Sequence, residues 1–402
     1  MSGIVYLDNS STTRPFPEVV ATVAEALQSG YGNPSSLHRL GEEVSKRIES
    51  ARKNVASLLG AAPEEVFFTS GGTESNNWAL FGTYRFFGGK RPHIITTAVE
   101  HPSVLETLSA LKREGAHVTV VKVDRSGFVS PEEIKGHIRD DTALVSVMYV
   151  QNEIGTVEPI KEIGAIIAEL GPRRPRFHVD AVQGFARLPI DVKEWNADLV
   201  SVSAHKIHGP KGVGALYVRK GVEIRPLIYG GGQEGGMRSG TENVPGILGF
   251  GKACEIWLSD RTTTGPESAN GLMERLLKLR RKLIDGVRRI FPDAILHGPE
   301  DGNVAPYIVH FAFPGFRGET ILHALEARGV FVSTGSACSS HHPKPSPVIL
   351  ALGRSEAEAL SSIRFSMSRF TTDEEIDRAI EALEDALREL LPWRQPAERG
   401  RR

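Results

Sequence analysis

The sequence predicts an α/β protein: a large domain with a mostly parallel sheet flanked by helices, plus a smaller α+β domain. Two patterns predict this. Apolar runs at 93–97, 118–123, 143–150, 176–179 and 198–203 alternate with helical or loop segments, as parallel strands joined by crossovers do. Beyond a polar break from Thr262 through Gly265 and Pro266 to Ser268, strands and helices mix without that alternation. The length, 402 residues, gives room for two or three domains and a sizeable core.

In chain order, the stretch from Leu7 to Pro15 is turn and cap chemistry, and Tyr31 to Ser36 repeats that character ahead of a helix. Val44, Ile48, Ala51, Val55 and Leu58 define one apolar face of a helix ending at Gly60. Residues 65–70 read as a strand, Gly71 and Gly72 as a tight turn, and Thr73 to Asn76 as a helix start. A helix containing Cys254 precedes the polar break, and Leu272, Leu276, Leu279 and Leu283 mark a long charged helix after it. Strands at 307–313 and 362–367 and helices at about 319–328 and 373–391 complete the reading. The expected division is 15–260 for the large domain, 1–14 with 261–392 for the small one, and 393–402 as a disordered tail.

With 40% hydrophobic and 24% charged residues and a net charge of −1, neither direct nucleic-acid binding nor an anionic membrane is expected. No run approaches the ~20 apolar residues of a membrane span. The amino-terminal apolar run turns polar at once, unlike a secretory signal. The two cysteines, Cys254 and Cys338, sit in different settings, which argues for a reducing cytoplasm over a disulfide framework.

The stretch Ser201 to Gly212 carries the chemistry most directly. Lys206 stands at the end of an apolar run, between His205 and His208 and ahead of a glycine-rich turn. A lysine near other cations or partly desolvated becomes a nucleophile that attacks a carbonyl, which suggests a carbonyl cofactor. A surface lysine in a strand-to-strand loop is the other explanation. The glycine turn at Gly71 and Gly72 offers a helix amino terminus to a phosphate. Polar groups at other strand ends, His101, Asn152, Asp180 and Gln183, fall along the same sheet edge. A second glycine-rich loop, 229–241, adds Arg238, Ser239 and Thr241 as anion-binding groups.

Taken together, Asp180-Ala-Val-Gln183, Ser203-Ala-His-Lys206, Arg238-Ser-Gly-Thr241, Ser336-Ala-Cys338 and Arg364-Phe-Ser366 resemble the cysteine desulfurases, a branch of the fold-type I pyridoxal-phosphate enzymes. The resemblance runs nearly end to end and includes Tyr6-Leu-Asp8, Gly32-Asn-Pro34, Thr69 to Glu74 and Asn152-Glu-Ile-Gly155. It implies that Lys206 holds pyridoxal 5′-phosphate and then moves the Cα proton. Asp180 pairs with the pyridine nitrogen, His101 stacks on the ring and Gln183 bonds the phenolic oxygen. Gly72, Thr73, Ser203 and His205 grip the phosphate, which Thr241 reaches from the neighbouring subunit of a homodimer. Arg364, with Asn152 and Asn33, binds the substrate carboxylate. No resident metal is implied.

By the same resemblance, Cys338 takes sulfur from L-cysteine as a persulfide, releases alanine, and passes the sulfur to an acceptor protein, an iron–sulfur scaffold or a thiolation carrier. Whether His341 and His342 assist Cys338 stays open, and Cys254 reads as a packing cysteine. The alternatives are a selenocysteine lyase or small-molecule aminotransferase of the same fold, or a metal-dependent sulfur protein using Cys338, His341 and His342.

Overall fold

The computed structural model describes residues 3–263, 265, 268–334 and 344–395. The chain opens with β1 (Val5–Tyr6), α1 (Pro17–Gln28), α2 (Arg39–Leu59) and β2 (Val66–Thr69). Proline at the start of α1 costs no hydrogen bond, because the first amides of a helix have no intrahelical partner. The apolar face expected for α2 is buried, and the helix stops at Gly60, whose φ of 69° is left-handed. Glu65, expected in a strand, belongs instead to a 3-10 turn spanning Pro63–Glu65. Its carboxylate accepts from the amide of Ala62 at 2.9 Å and holds the turn closed.

Helices and strands then alternate: α3 (Gly72–Phe87), β3 (His93–Thr97), α4 (Pro102–Arg113), β4 (His117–Val121), α5 (Pro131–His137), β5 (Thr142–Met148), α6 (Ile160–Glu169), β6 (Arg176–Asp180), β7 (Leu199–Ser203) and β8 (Gly214–Val218). They form a seven-stranded sheet in the order β2-β8-β7-β6-β5-β3-β4. All pairings from β7 to β4 are parallel, whereas β8 runs antiparallel to both β2 and β7. Strands β3, β5 and β7 are buried along their whole length, so their apolar runs are continuous. Because these strands are parallel, Thr97, Met148, Asp180 and Ser203 all end at one edge of the sheet.

After α7 (Val244–Thr262), which packs on α1 and α2, come α8 (Ala269–Ile290), β9 (Ile295–His297), β10 (Ile308–Ala312), α9 (Gly318–Glu326), β11 (Val330–Phe331), α10 (Pro347–Ala351), α11 (Glu356–Leu360), β12 (Ser362–Ser366) and α12 (Asp373–Leu390). Leu272, Leu276, Leu279 and Leu283 form the buried stripe of α8, and the Ser268 hydroxyl caps it by accepting from the Gly271 amide at 3.0 Å. Strands β12, β10 and β9 make a separate antiparallel sheet. The amino terminus lies against this part: β1 pairs in parallel with β11, and Asp8 bridges Ser366.

Candidate active site

The carboxyl ends of β6 and β7 and the amino ends of α3 and α4 surround a cavity of about 370 Å³. Its floor and near wall include Gly72, Thr73, His101, Asp180, Ser203 and Lys206. Asn152, Gln183, His205 and Arg364 close it, with Ser10 and Ser11 from the segment after β1. A Cβ on residue 72 would sit 2.6 Å from Val182 Cγ2, so glycine is what lets α3 begin this close to the strand ends.

Lys206 ends a 3-10 turn, Ala204–Lys206, that continues β7. Its Nζ donates to the carbonyls of Ser10 and, at 2.8 Å, of Ser11. Desolvation, followed by the nearby guanidinium groups of Arg364 and Arg187, brings its pKa down to about 7. Arg187 donates to the Lys206 carbonyl and lies 4.6 Å over the Tyr307 ring, so the turn is tied from below. The Asp180 carboxylate is 4% exposed and accepts from Asn76 Nδ2 at 2.7 Å and the Val182 amide at 3.0 Å.

His101 caps α4, its Nδ1 accepting from the Ser103 amide at 3.1 Å, and burial lowers its pKa. Burial, with Lys206 next in effect, pushes His205 down to about 3, so both rings are neutral near pH 7. Arg364, on β12, donates to Asp8 Oδ1 at 2.9 Å, Ser11 Oγ at 2.7 Å and the Asn152 carbonyl at 2.9 Å. Gln183 Nε2 donates to the Ser10 carbonyl at 2.8 Å. The buried atoms Gln183 Oε1 and Arg364 Nε have no hydrogen-bond partner among the described residues.

Not every expected residue is here. Asn33 and Thr241 are exposed and line a different cavity of about 360 Å³, with Tyr31, Pro34 and Glu242. Arg238, expected to bind an anion, is instead engaged by Glu74 at 2.9 and 3.3 Å, because the glycine-rich loop folds its guanidinium back onto α3. Ser239 Oγ is similarly turned inward and accepts from the Gly232 amide. Cys338, His341 and His342 lie outside the described residues. The chain on either side is held beside the cavity: Ser333 exchanges backbone hydrogen bonds with Arg364 at 3.1 and 2.7 Å, and Ser346 Oγ donates to Glu153 Oε2 at 2.6 Å. Cys254 is buried within α7, its thiol pushed well up by burial, as a packing residue would be.

Several residues of the site escape sequence reasoning. Asn76 lies one helical turn past Gly72, a spacing that could have flagged it. Ser103 follows the capping histidine by two positions. Asp8 falls in the Tyr6-Leu-Asp8 motif without an assigned role, and Ser10, Ser11 and Arg187 carry no local signal, since their partners are distant in the chain. Among the described residues, no group of three or more His, Cys, Asp or Glu is placed to hold a metal ion.

The family model for aminotransferase class-V matches residues 5–379. The chain is 46% identical, over 384 residues, to a protein of Clostridium botulinum named cysteine desulfurase IscS, covering 95% of this chain and 94% of that one. A protein of the same name from Methanosarcina thermophila is 45% identical, covering 96% and 92%. Among solved structures, a NifS-like protein superposes with a TM-score of 0.88 at 38% identity, covering 96% of this chain and all of that one. Matched nearly end to end in sequence and in fold, the chain belongs to the class-V aminotransferase family, among its cysteine desulfurases.

Proposed function

We propose that this protein is a pyridoxal-phosphate-dependent cysteine desulfurase that moves the sulfur of L-cysteine onto Cys338, releases alanine, and hands the sulfur to an acceptor protein for iron–sulfur cluster assembly or thiolation. The observation that carries the proposal is the meeting of Lys206, Asp180 and Arg364 on one cavity at the carboxyl edge of the sheet. Pyridoxal phosphate is the cofactor of this family. The residues present fit it: an amine with a pKa near 7, a carboxylate fixed by two donors, and a helix amino terminus.

Lys206 would hold the cofactor through its amine, Asp180 would take the pyridine nitrogen, His101 the ring face and Gln183 the phenolic oxygen. Gly72, Thr73, Ser203 and His205 would bind the phosphate at the start of α3. When bound, the cofactor supplies a carbonyl for amine exchange and a ring that withdraws electrons from the substrate Cα. Arg364 would bind the substrate carboxylate in its guanidinium fork, exchanging it for the Asp8 contact while Asn152 keeps the fork in place. Lys206, released and uncharged, would take the Cα proton. The Cys338 thiolate would attack the substrate sulfur, forming an S–S bond as the Cβ–S bond breaks. The electron pair stays with the carbon fragment, which is protonated to alanine.

Thr241 and Asn33 do not reach this cavity within one chain; a homodimer in which a second copy brings Thr241 to the phosphate would account for Thr241. Among the described residues, no helix is long and apolar enough to cross a membrane, and the cytoplasm is the proposed compartment. Incubation with L-cysteine should yield alanine and a mass gain of one sulfur on the Cys338 peptide. Cys338→Ala should keep the visible band of the bound cofactor and lose persulfide formation; sulfur release unchanged in that variant would overturn the proposal.

A further inference from the structure

We infer that Asn76 and Ser103 are positioning residues that fix His101 as the neutral tautomer with its hydrogen on Nε2. The free nitrogen of the ring is then a hydrogen-bond donor, not a base. This deepens the reading above, in which His101 lies against the cofactor, although the order of protons rests on the protein alone.

The order is set step by step. A main-chain N–H can only donate, so the Ser103 amide, 3.1 Å from His101 Nδ1, makes that nitrogen an acceptor. The one hydrogen of the neutral ring is therefore on Nε2. Ser103 Oγ is 2.8 Å from the same Nδ1 and itself accepts from Asn76 Nδ2 at 2.8 Å, which leaves its own hydrogen for the ring. The Asn76 amide cannot be turned round, because its other N–H serves Asp180 Oδ2 at 2.7 Å, and an amide oxygen there would face a carboxylate. Asn76 is 1% exposed, Ser103 9% and Asp180 4%, so water does not compete along the relay.

Protonating His101 would place a hydrogen on Nδ1 facing the Ser103 amide hydrogen, breaking that bond and forcing the Ser103 hydroxyl to turn from donor to acceptor. Burial, the largest influence on the ring, disfavours the imidazolium as well; of the charged groups facing it, Lys206 does the same and Asp180 opposes them. The consequence is a division of labour. His101 offers a hydrogen bond, and no proton, to the cavity, and Lys206 is left as the base at Cα. The two positioning residues come from near the amino-terminal ends of α3 and α4, so the relay also fixes how these helix ends meet over Asp180.

The test is nitrogen-15 spectroscopy of histidine-labelled enzyme, loaded with pyridoxal phosphate and stripped of it, from mildly acid to mildly alkaline pH. Both forms should show His101 with hydrogen on Nε2 at neutral pH. Ser103→Ala should raise the His101 pKa by about one unit, the worth of one hydrogen bond to the neutral form, and Ser103→Thr should restore it. Hydrogen on Nδ1, an imidazolium at neutral pH in the unaltered protein, or an unmoved titration in Ser103→Ala would overturn the inference. If the stripped protein fails to regain a visible band with pyridoxal phosphate while His101 behaves as stated, the cofactor reading fails and the relay stands.

Discussion

The two cavities at about 370 and 360 Å³ are nearly equal in size and opposite in chemistry. Around Lys206 the walls carry an amine, a carboxylate and a guanidinium, each held by partners from the same chain. Around Asn33 and Thr241 they carry Tyr31, 73% exposed, and Leu27, 66% exposed, with Glu242 as the acid. Volume alone would rank them together. Desolvated charge separates them, because it is costly to hold and is retained where it serves binding or chemistry. In the proposed homodimer a second copy would complete this open second cavity.

Substitutions should widen or close that difference. The largest effect is expected for Lys206→Ala, a loss of about 10⁴-fold in turnover from removing the nucleophile and base together; residual activity near that of the unaltered enzyme would return Lys206 to the status of a loop lysine. Arg364→Ala should raise KM for cysteine by about 100-fold with a smaller change in kcat, since a charge-assisted fork is lost in ground and transition state alike. Steady-state kinetics on the two variants would separate these roles.

A milder perturbation is pH. With the Lys206 pKa depressed to about 7, the stripped enzyme should take up pyridoxal phosphate at a rate that falls as pH drops below about 7, where the amine protonates, and levels off above it. Its stability should rise with pH from about 7 toward the ordinary lysine range, because there the unfolded chain binds a proton that the folded chain does not. Uptake still climbing steeply in the alkaline range would show that the amine is not desolvated. The smallest change is expected at the second cavity. Thr241→Ala should weaken cofactor retention, and Asn33→Ala raise KM for cysteine, each by about 10-fold or less, one hydrogen bond's worth, with a larger loss of retention on dilution if a second copy is involved. Sedimentation alongside retention would check this, and a fully active monomer would break the comparison.

Much of the first cavity was legible because parallel strands deliver their carboxyl ends to one edge, so Asp180 and Ser203 could be placed from apolar runs alone. The amphipathic spacing of α2 and α8 was equally plain. Strand β8 was not foreseen, since five residues behind a Gly/Pro turn carry too little pattern, and its antiparallel course depends on β2 and β7 being already in place. Arg238 was read as an anion group because its loop is rich in glycine; the ion pair with Glu74 that claims it spans 164 positions. Ser10 and Ser11 looked like turn residues, and their carbonyls matter because Lys206 and, at Ser10, Gln183 fold onto them.

The contact between Asp8 and Arg364 joins residues 356 positions apart, and β1 finds its partner in β11. During synthesis the β7 end and its lysine emerge well before Arg364, so the half-built pocket must wait for nearly the whole chain. Contacts of such separation form late, after local helices and the central strands. The segment carrying Ser10 and Ser11 is among the first made and among the last to be seated, which delays a competent pocket until the final strand is in place. A chain cut short before β12 would keep the lysine and lack Arg364, the group proposed to receive the substrate's carboxylate.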